Sequence, residues 1–271
     1  MSITIHEHVE QRSDEWYALR CGIVTASVVG KLLSVGAPDA IESECPECLA
    51  SPGEPCVALR GGWPIKTLHE GRRVRAATRP PVIRQATGDT ARNVTLSLIA
   101  ERITGHVEPT TTTSAMWRGV IEEPLARDMY AEHHAPVREV GFVTLDADWG
   151  TLGYSPDGLV GDDGLIEIKS RNQKRQVESV LDVDAAIAEH MPQMQAGLLA
   201  TGRAWCDLVG YSSGMAMGPI RVYPDAAWQA AIIAAVKRYE ATAAELSDTY
   251  FERVKGLPVA PRTPDYDEIE V

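Results

Sequence analysis

The sequence predicts an α/β protein, a mixed central sheet with helices on both sides, interrupted by a small insertion. Three observations lead there. Helical periodicity fills the first half and the C-terminal end. Strand-like runs cluster between Val137 and Val222. A stretch over 34–81 breaks into Pro, Gly, Cys and Arg with no amphipathic period, which marks an insertion rather than a core element.

Taken in order, residues 14–33 read as two short helices interrupted near Cys21-Gly22, with Thr25 or Ser27 capping the second. After the aperiodic stretch, residues 88–103 resume helical spacing through Ala91, Leu96, Ile99 and Ile103. A Thr-rich loop precedes a helix capped by Ser114 and running to about His133. Pro124 sits inside it without a backbone N–H, so a kink or a fresh start is expected at Glu122-Glu123. Strand-like runs follow over 137–145, 151–160 and 164–170. The last two flank Gly161-Asp162-Asp163-Gly164, a hairpin-turn signal. A helix over 183–201 carries Ile187, Met191, Met194 and Leu198 at helical intervals. Two strands, over 204–211 and 218–222, precede a long helix over 225–255, and no internal repeat is present.

With 271 residues, 44% hydrophobic and 24% charged, the chain can bury a full-sized core. No apolar run approaches the roughly 20 residues that span a bilayer, and the N-terminus lacks a basic-then-apolar signal, so a cytoplasmic location without membrane contact is expected. The net charge of −12 taken alone argues against a polyanionic partner. Its distribution argues the other way. Over 60–92 the basic residues Arg60, Lys66, Arg72, Arg73, Arg75, Arg79, Arg84 and Arg92 face only Glu70 and Asp89, whereas the stretch from Pro224 onward is rich in Asp and Glu. A bipolar chain suits a protein that grips nucleic acid on one side and repels it elsewhere.

Five cysteines, an odd count, do not suggest a disulfide framework. Three crowd together: Cys45-Pro46-Glu47-Cys48, then Cys56, then His69 give C-x2-C-x7-C-x12-H. Zinc prefers four tetrahedral ligands of this kind, and a CxxC turn supplies two with little strain. We therefore expect one structural Zn²⁺ on Cys45, Cys48, Cys56 and His69, in a finger-like insertion over 42–75. The segment resembles the small CPxC-x-A-x-PGxPC…H zinc fingers of phage and bacterial DNA-related proteins. A closed site leaves no open position for catalysis, so its expected roles are folding and DNA contact. Cys21 and Cys206 read as small buried packing residues.

The chemistry is expected in Ser155-Pro156-Asp157-Gly158 … Leu165-Ile166-Glu167-Ile168-Lys169. Strand alternation puts Glu167 and Lys169 on one face, with Ile166 and Ile168 on the other. A hairpin turn at Asp162-Asp163 brings Asp157 opposite Glu167 or Ile168. Two carboxylates and an amine then converge, a hard-oxygen set that suits Mg²⁺ or Mn²⁺, with the lysine easing hydroxide formation or stabilising phosphate charge. An alternative reading makes Asp157 a turn residue and Glu167–Lys169 an exposed strand pair. The apolar Leu159, Ile166 and Ile168 weigh against it.

Four blocks in order resemble the PD-(D/E)xK nuclease superfamily and, within it, the lambda-exonuclease-like (YqaJ-type) viral recombinase family. They are Trp16 to Ser27, like WxxxRxGxITAS; Trp117 to Arg127, like G-x-x-x-E-x-x-AR; Ser155 to Lys169; and Met191-Pro192-Gln193-Met194-Gln195 leading to Trp205, like a QxQ helix before an aromatic strand. The resemblance spans residues 16 to about 211. It implies a restriction-endonuclease-like core, with the whole chain, 1–271, as the exonuclease domain around the insertion.

It further implies that Asp157 shares two metal ions, that Glu167 and the Ile168 carbonyl bind one, that Glu123 completes the shell and that Lys169 positions the attacking water. Arg20, Ser27 and Ser155 would cradle a terminal 5′-phosphate, with Gln193 helping; a planar guanidinium suits that task. On the sequence alone Glu122 rivals Glu123. Gln193 and Gln195 point to different sides of a helix, so only one should reach the site. The implied activity is Mg²⁺-dependent 5′→3′ degradation of one strand at double-stranded DNA ends, leaving 3′ single strands for phage-type recombination. The implied partners are further copies of the chain in a trimeric ring and a single-strand annealing protein. An endonuclease or RecB-like repair nuclease with the same core is the nearest alternative. A catalytically idle, zinc-containing DNA-binding adaptor is the alternative from another class, against which the complete Asp-Glu-Lys set argues.

Overall fold

The computed structural model describes residues 1–108 and 113–262; most of the expected Thr-rich loop and the last acidic residues, 263–271, lie outside the described residues. The elements in chain order are β1 (Ser2–His6), α1 (Asp14–Arg20), β2 (Val24–Thr25), α2 (Ala26–Val29), β3 (Leu33–Gly36), α3 (Glu70–Ala77), β4 (Val82–Gln85), α4 (Asp89–Thr104), α5 (Ser114–His133), β5 (Val137–Arg138), β6 (Phe142–Ala147), β7 (Gly150–Tyr154), β8 (Gly158–Val160), β9 (Gly164–Ser170), α6 (Gln173–Leu181), α7 (Val183–Thr201), β10 (Trp205–Tyr211), β11 (Pro219–Val222) and α8 (Ala226–Arg253). Contacts divide the chain into two compact units, Met1–Leu32 with Thr87–Val271, and Leu33–Ala86.

The larger unit is the mixed α/β core expected, with its strands in two ladders, β1-β6-β7-β2 and β11-β10-β9-β8-β5. In the second, β9 runs antiparallel to β8 and parallel to β10. Ile166 and Ile168 of β9 pack with Val160, Val209 and, from α5, Ala126 and Tyr130. Burying each such aliphatic side chain contributes roughly 1.5–3 kcal/mol, which fixes the face that β9 turns inward.

Two expected strands are divided, for different reasons. The run over 137–145 is cut at Glu139-Val140-Gly141 into β5 and β6, which join different ladders. The run over 151–160 breaks at Ser155-Pro156-Asp157, with β7 in one ladder and β8 in the other. Pro156 has no N–H to donate to a ladder, so pairing stops there and Asp157 is left at the junction. The β8–β9 hairpin forms as expected, Val160 opposite Gly164, with Gly161 at φ +51° opening the loop.

Helix boundaries differ in three places. α5 passes through Pro124 as one helix of 20 residues rather than restarting at Glu122-Glu123. One lost hydrogen bond is a local cost, and Ala126, Arg127 and Tyr130 beyond it are buried. Its cap is Thr113, whose hydroxyl accepts from Met116 N at 3.2 Å; Ser114 is already inside the helix. Thr25 stands at the cap position of α2 but makes no side-chain cap bond, and Ser27 lies within the helix.

The smaller unit pairs β3 with β4 and buries Cys45, Ala50 and Cys56 against Cys48, Ile65 and Leu68. Arg72 of α3 is its organiser. Fully buried, it donates from Nε to Ser43 O, from one terminal nitrogen to Glu54 O and Cys56 Sγ, and from the other to Ile41 O and Ser51 O. Several cations of the basic run over 60–92 are paired within this unit. Arg72 is spent inside the unit, Arg75 pairs with Glu44, Arg73 with Glu70, and Arg84 with Asp39 and Glu42. Apart from Glu70, these acidic partners lie upstream of residue 60. No helix among the described residues is long and apolar enough to cross a membrane.

Candidate functional site

The break at Pro156 and the hairpin together bring Asp157 beside β9. Asp157 Oδ2 accepts from Ile168 N at 2.6 Å, and among the described residues no donor meets its other oxygen. Two residues of β9, one fully buried and one partly exposed, flank it. Glu167 has no exposed surface; its Oε2 accepts from Tyr154 Oη at 3.3 Å, while its Oε1 stands 2.7 Å from Lys169 Nζ without a hydrogen bond. Lys169 in turn donates to Gln193 Oε1 at 2.9 Å.

Helix α5 supplies the third carboxylate. Glu123 accepts from Arg127 at 2.7 Å through one oxygen, and Arg127 Nε holds the Asp157 carbonyl at 2.7 Å. Glu122, by contrast, binds Ser170 Oγ and lies 3.8 Å from Arg118, so its carboxylate is engaged elsewhere. The two glutamines separate as side-chain direction requires. Gln193 meets Lys169, whereas Gln195 is fully buried and donates to Tyr223 O while accepting from Asp225 N.

The electrostatics are strained. Burial pushes the Asp157 carboxyl well above its usual value, and the neighbouring Glu167 and Glu123 add to the rise. Glu123 is also raised, first by burial, against the opposing pull of Arg127. Burial alone would lower Lys169, but the two carboxylates beside it outweigh that and raise it. Three carboxylates, two of them raised, gathered beside one lysine fit a divalent cation. The carboxylates of Asp157, Glu123 and Glu167 are the hard ligands such an ion takes, Glu167 through the oxygen that Lys169 faces.

The same cavity, about 200 Å³, is lined by Glu123, Asp157 and Gln193 together with Arg20, Ser27 and Ser155. Trp16 arranges the second group: the Arg20 guanidinium stacks 4.2 Å over its ring, and its Nε1 donates to Ser155 Oγ at 2.8 Å. Ser27 Oγ pairs with Thr25 Oγ1 at 3.0 Å. Arg20, Ser27, Ser155, Glu123, Asp157 and Gln193 therefore line one cavity, whereas Ile168 and Lys169 of β9 stand beside it, tied to Asp157 and Gln193 by hydrogen bonds. Sequence reasoning placed Trp16 and Arg127 in its matching blocks without giving them a role, and did not single out Tyr154; the four-residue spacing of Glu123 and Arg127 was a signal for the ion pair.

In the smaller unit Cys45, Cys48, Cys56 and His69 bring their ligand atoms within 4.8 Å of one another. His69 stands at the cap of α3, with Nδ1 3.4 Å from Cys45 Sγ. Burial raises the Cys45 thiol. For Cys48 and Cys56 burial works the same way but is outweighed, by N–H groups of Val57 and Ala50 on Cys48 and by those of His69 and Arg72 on Cys56, so both are lowered. Lowered thiols held by N–H donors are what a thiophilic cation needs. Of the remaining cysteines, Cys206 is fully buried as expected, while Cys21 is half-buried and donates to Glu101 O.

Residues 82–204 match the YqaJ-like viral recombinase domain, and residues 11–91 match a putative DNA-binding phage zinc finger domain. No curated protein matches the chain. Among solved structures it is similar to an alkaline exonuclease (LHK-Exo) from Laribacter hongkongensis, at 27% identity and a TM-score of 0.64, covering 91% of this chain and 100% of that one. The same exonuclease in complex with dAMP gives the same values.

Proposed function

We propose that this chain, which carries a YqaJ-like viral recombinase domain and a phage zinc-binding segment, is a DNA exonuclease that degrades one strand of linear duplex DNA from a 5′-phosphorylated end. The observation that carries the reading is a cavity lined by Glu123, Asp157 and Gln193 beside Arg20, Ser27 and Ser155, with Lys169 hydrogen-bonded to Gln193 at its wall and Glu167 ion-paired to Lys169. Hydrolysis and recognition of a chain end then happen in one place, which is what removal of one nucleotide at a time requires. The similar exonuclease has been solved in complex with dAMP, a nucleotide of the kind such a reaction releases.

Asp157, Glu123, Glu167 and the Ile168 carbonyl would hold Mg²⁺ or Mn²⁺, two ions per site. When bound, these supply acidified water and neutralise charge on the phosphate. Lys169, steadied by Gln193, orients the water toward phosphorus. Water oxygen bonds to phosphorus as the bond to the 3′ oxygen breaks, and that oxygen leaves with a proton. Arg20 holds the terminal phosphate through its planar edge, with Ser27 and Ser155 adding hydroxyl donors. Cys45, Cys48, Cys56 and His69 hold one Zn²⁺ in the segment over 42–75, and the rest of 1–271 is the exonuclease domain. The product is 3′ single-stranded DNA for recombination, handed to a single-strand annealing protein by a trimer of this chain in the host cytoplasm.

The test is a linear duplex carrying a 5′-phosphate on one end only, incubated with Mg²⁺ or EDTA. Loss of the phosphorylated strand, only with Mg²⁺, is expected. Loss of the other strand refutes the polarity. No Mg²⁺-dependent loss of either refutes the enzyme.

A further inference from the structure

A second cleft, of about 280 Å³, opens beside Lys169 between the end of β9, α6 and α7. Arg118, Lys169, Arg171 and Arg175 line it against one acid, Glu189, which lies 3.9 Å from Arg175. Three of these cations have a carboxylate near them, Glu122 for Arg118, Glu167 for Lys169, and Glu178 and Glu189 for Arg175, which leaves Arg171 as the one without an ion pair among the described residues.

Arg171 is the most telling. Only 8% of its surface is exposed, yet among the described residues no carboxylate or acceptor lies within bonding distance of its guanidinium. Most buried guanidinium groups have their N–H donors engaged, as Arg72 does here. Arg171 is instead held in place by its backbone, whose N–H donates to Tyr211 O at 2.8 Å, and its side chain lines the cleft unpaired. Arg118 is also pre-positioned, its Nε donating to Ser170 Oγ at 3.1 Å. Asn172, which caps the nine-residue helix α6, lines the same cleft and adds the positive end of the helix. His190, on the wall, is pushed down to about 3 by burial, with Lys169, Arg171 and Arg175 adding to it, as concentrated positive potential would do.

The two cavities share a wall. Gln193 lines the one that holds Arg20, Lys169 lines this one, and the two side chains are hydrogen-bonded at 2.9 Å. We propose that the cleft of Arg118, Arg171 and Arg175 is a second phosphate-binding site, which holds the phosphodiester backbone of the DNA strand across the Lys169–Gln193 pair from the end-binding cavity. This rests on the nuclease reading. It assigns Arg171 and Arg118 to strand binding rather than to the chemical step. A strand gripped on both sides of Lys169 cannot slide while its bond is cut, and after release of the nucleotide the second grip keeps the shortened strand from leaving.

The full chain, in buffer without divalent cation, is titrated with labelled linear duplex over roughly 50–200 mM salt. Arg171→Gln is expected to weaken binding about tenfold at the low end and to reduce the slope of log affinity against log salt by about one. The preference for 5′-phosphorylated over 5′-hydroxyl ends should stay at the wild-type value, and Arg171→Lys should restore the slope. Because Arg171 is buried, Arg118→Gln, with its side chain one-third exposed, gives a second reading that does not depend on the core. Wild-type slopes in both variants overturn the site, as does weaker binding with an unchanged slope, which marks a folding defect only. Loss of the end preference in the Arg171 variant would also overturn it, by merging the two cavities into one. A wild-type chain that binds no duplex instead overturns the nuclease reading on which the site stands.

Discussion

The carboxylate cluster of the larger unit and the cysteine cluster of the smaller one hold buried charge in opposite ways. At Asp157 and Glu123 the carboxyls are raised, and Glu167 Oε1 meets only the Lys169 ammonium. At the cysteines the arrangement is closed: Arg72 spends every N–H it has, and two of the thiols are already lowered by donors around them. An open set of charges exchanges ions and substrate with solvent, whereas a closed set keeps what it binds. On the proposed function, the contrast is the one between a catalytic metal site and a structural one.

The largest test of that contrast is to remove one member of the open set. Asp157→Ala or Lys169→Ala should cut Mg²⁺-dependent digestion of linear duplex by roughly 10²–10⁴-fold, with an unchanged circular dichroism spectrum. Wild-type rates in either purified variant would remove the assignment. In the closed set the loss should appear in structure. Elemental analysis should find about one zinc per chain, and Cys48→Ser should lose it and become protease-sensitive over 42–75. Cleavage at saturating DNA should stay near normal; if it vanishes, the contrast between the two sites fails.

A finer distinction lies within the open cavity. Arg20→Ala should erase the preference for 5′-phosphorylated ends by about tenfold to a hundredfold, since a charge-assisted hydrogen bond contributes about 1.5–3 kcal/mol. Equal losses on phosphate and hydroxyl ends would make Arg20 a general backbone contact. The smallest effect concerns pH. Asp157 binds its proton more tightly in the fold than in the unfolded chain, where the value is 3.8, so metal-free protein loses stability as pH rises above that point. Asp157→Asn is expected to melt a few degrees higher than wild type at neutral pH without metal, at about 2–4 °C per kcal/mol, with the difference fading below about pH 4. Calorimetry across that range checks the sign.

Much of this was legible from local chemistry. Alternation in Leu165-Ile166-Glu167-Ile168-Lys169 separates core from site because β9 is buried against α5 on one side, and the hairpin signal places Asp157. The helix over 183–201 was visible because its apolar spacing is regular. What stayed hidden depends on distant partners. β1 is a five-residue edge strand paired with β6, far along the chain, and its residues are mostly exposed. α6 carries Val177, Val180 and Leu181 outward, so no buried stripe announces it. The choice of Glu123 over Glu122 turns on Arg127 and Ser170, whose positions only the folded chain defines. Which cations of the basic run over 60–92 are already paired also shows only in the folded chain, since Asp39, Glu42 and Glu44 lie upstream of it.

Arg72 has one more consequence. Three thiolates and a neutral imidazole around a divalent ion sum to one negative charge, and the guanidinium beside Cys56 cancels it. Emptied of metal, with its thiols reprotonated, the same pocket would be left with an uncompensated cation in the middle of four backbone carbonyls. Such a charge is expensive to keep from water. The emptied fold is therefore not a resting state waiting to be refilled, because Arg72 pulls toward solvent and takes the loops at Ile41, Ser43, Ser51 and Glu54 with it. Metal release and loop opening should then occur as one all-or-none event, so that a chelator's uptake of zinc and the appearance of the first proteolytic cut follow a single time course.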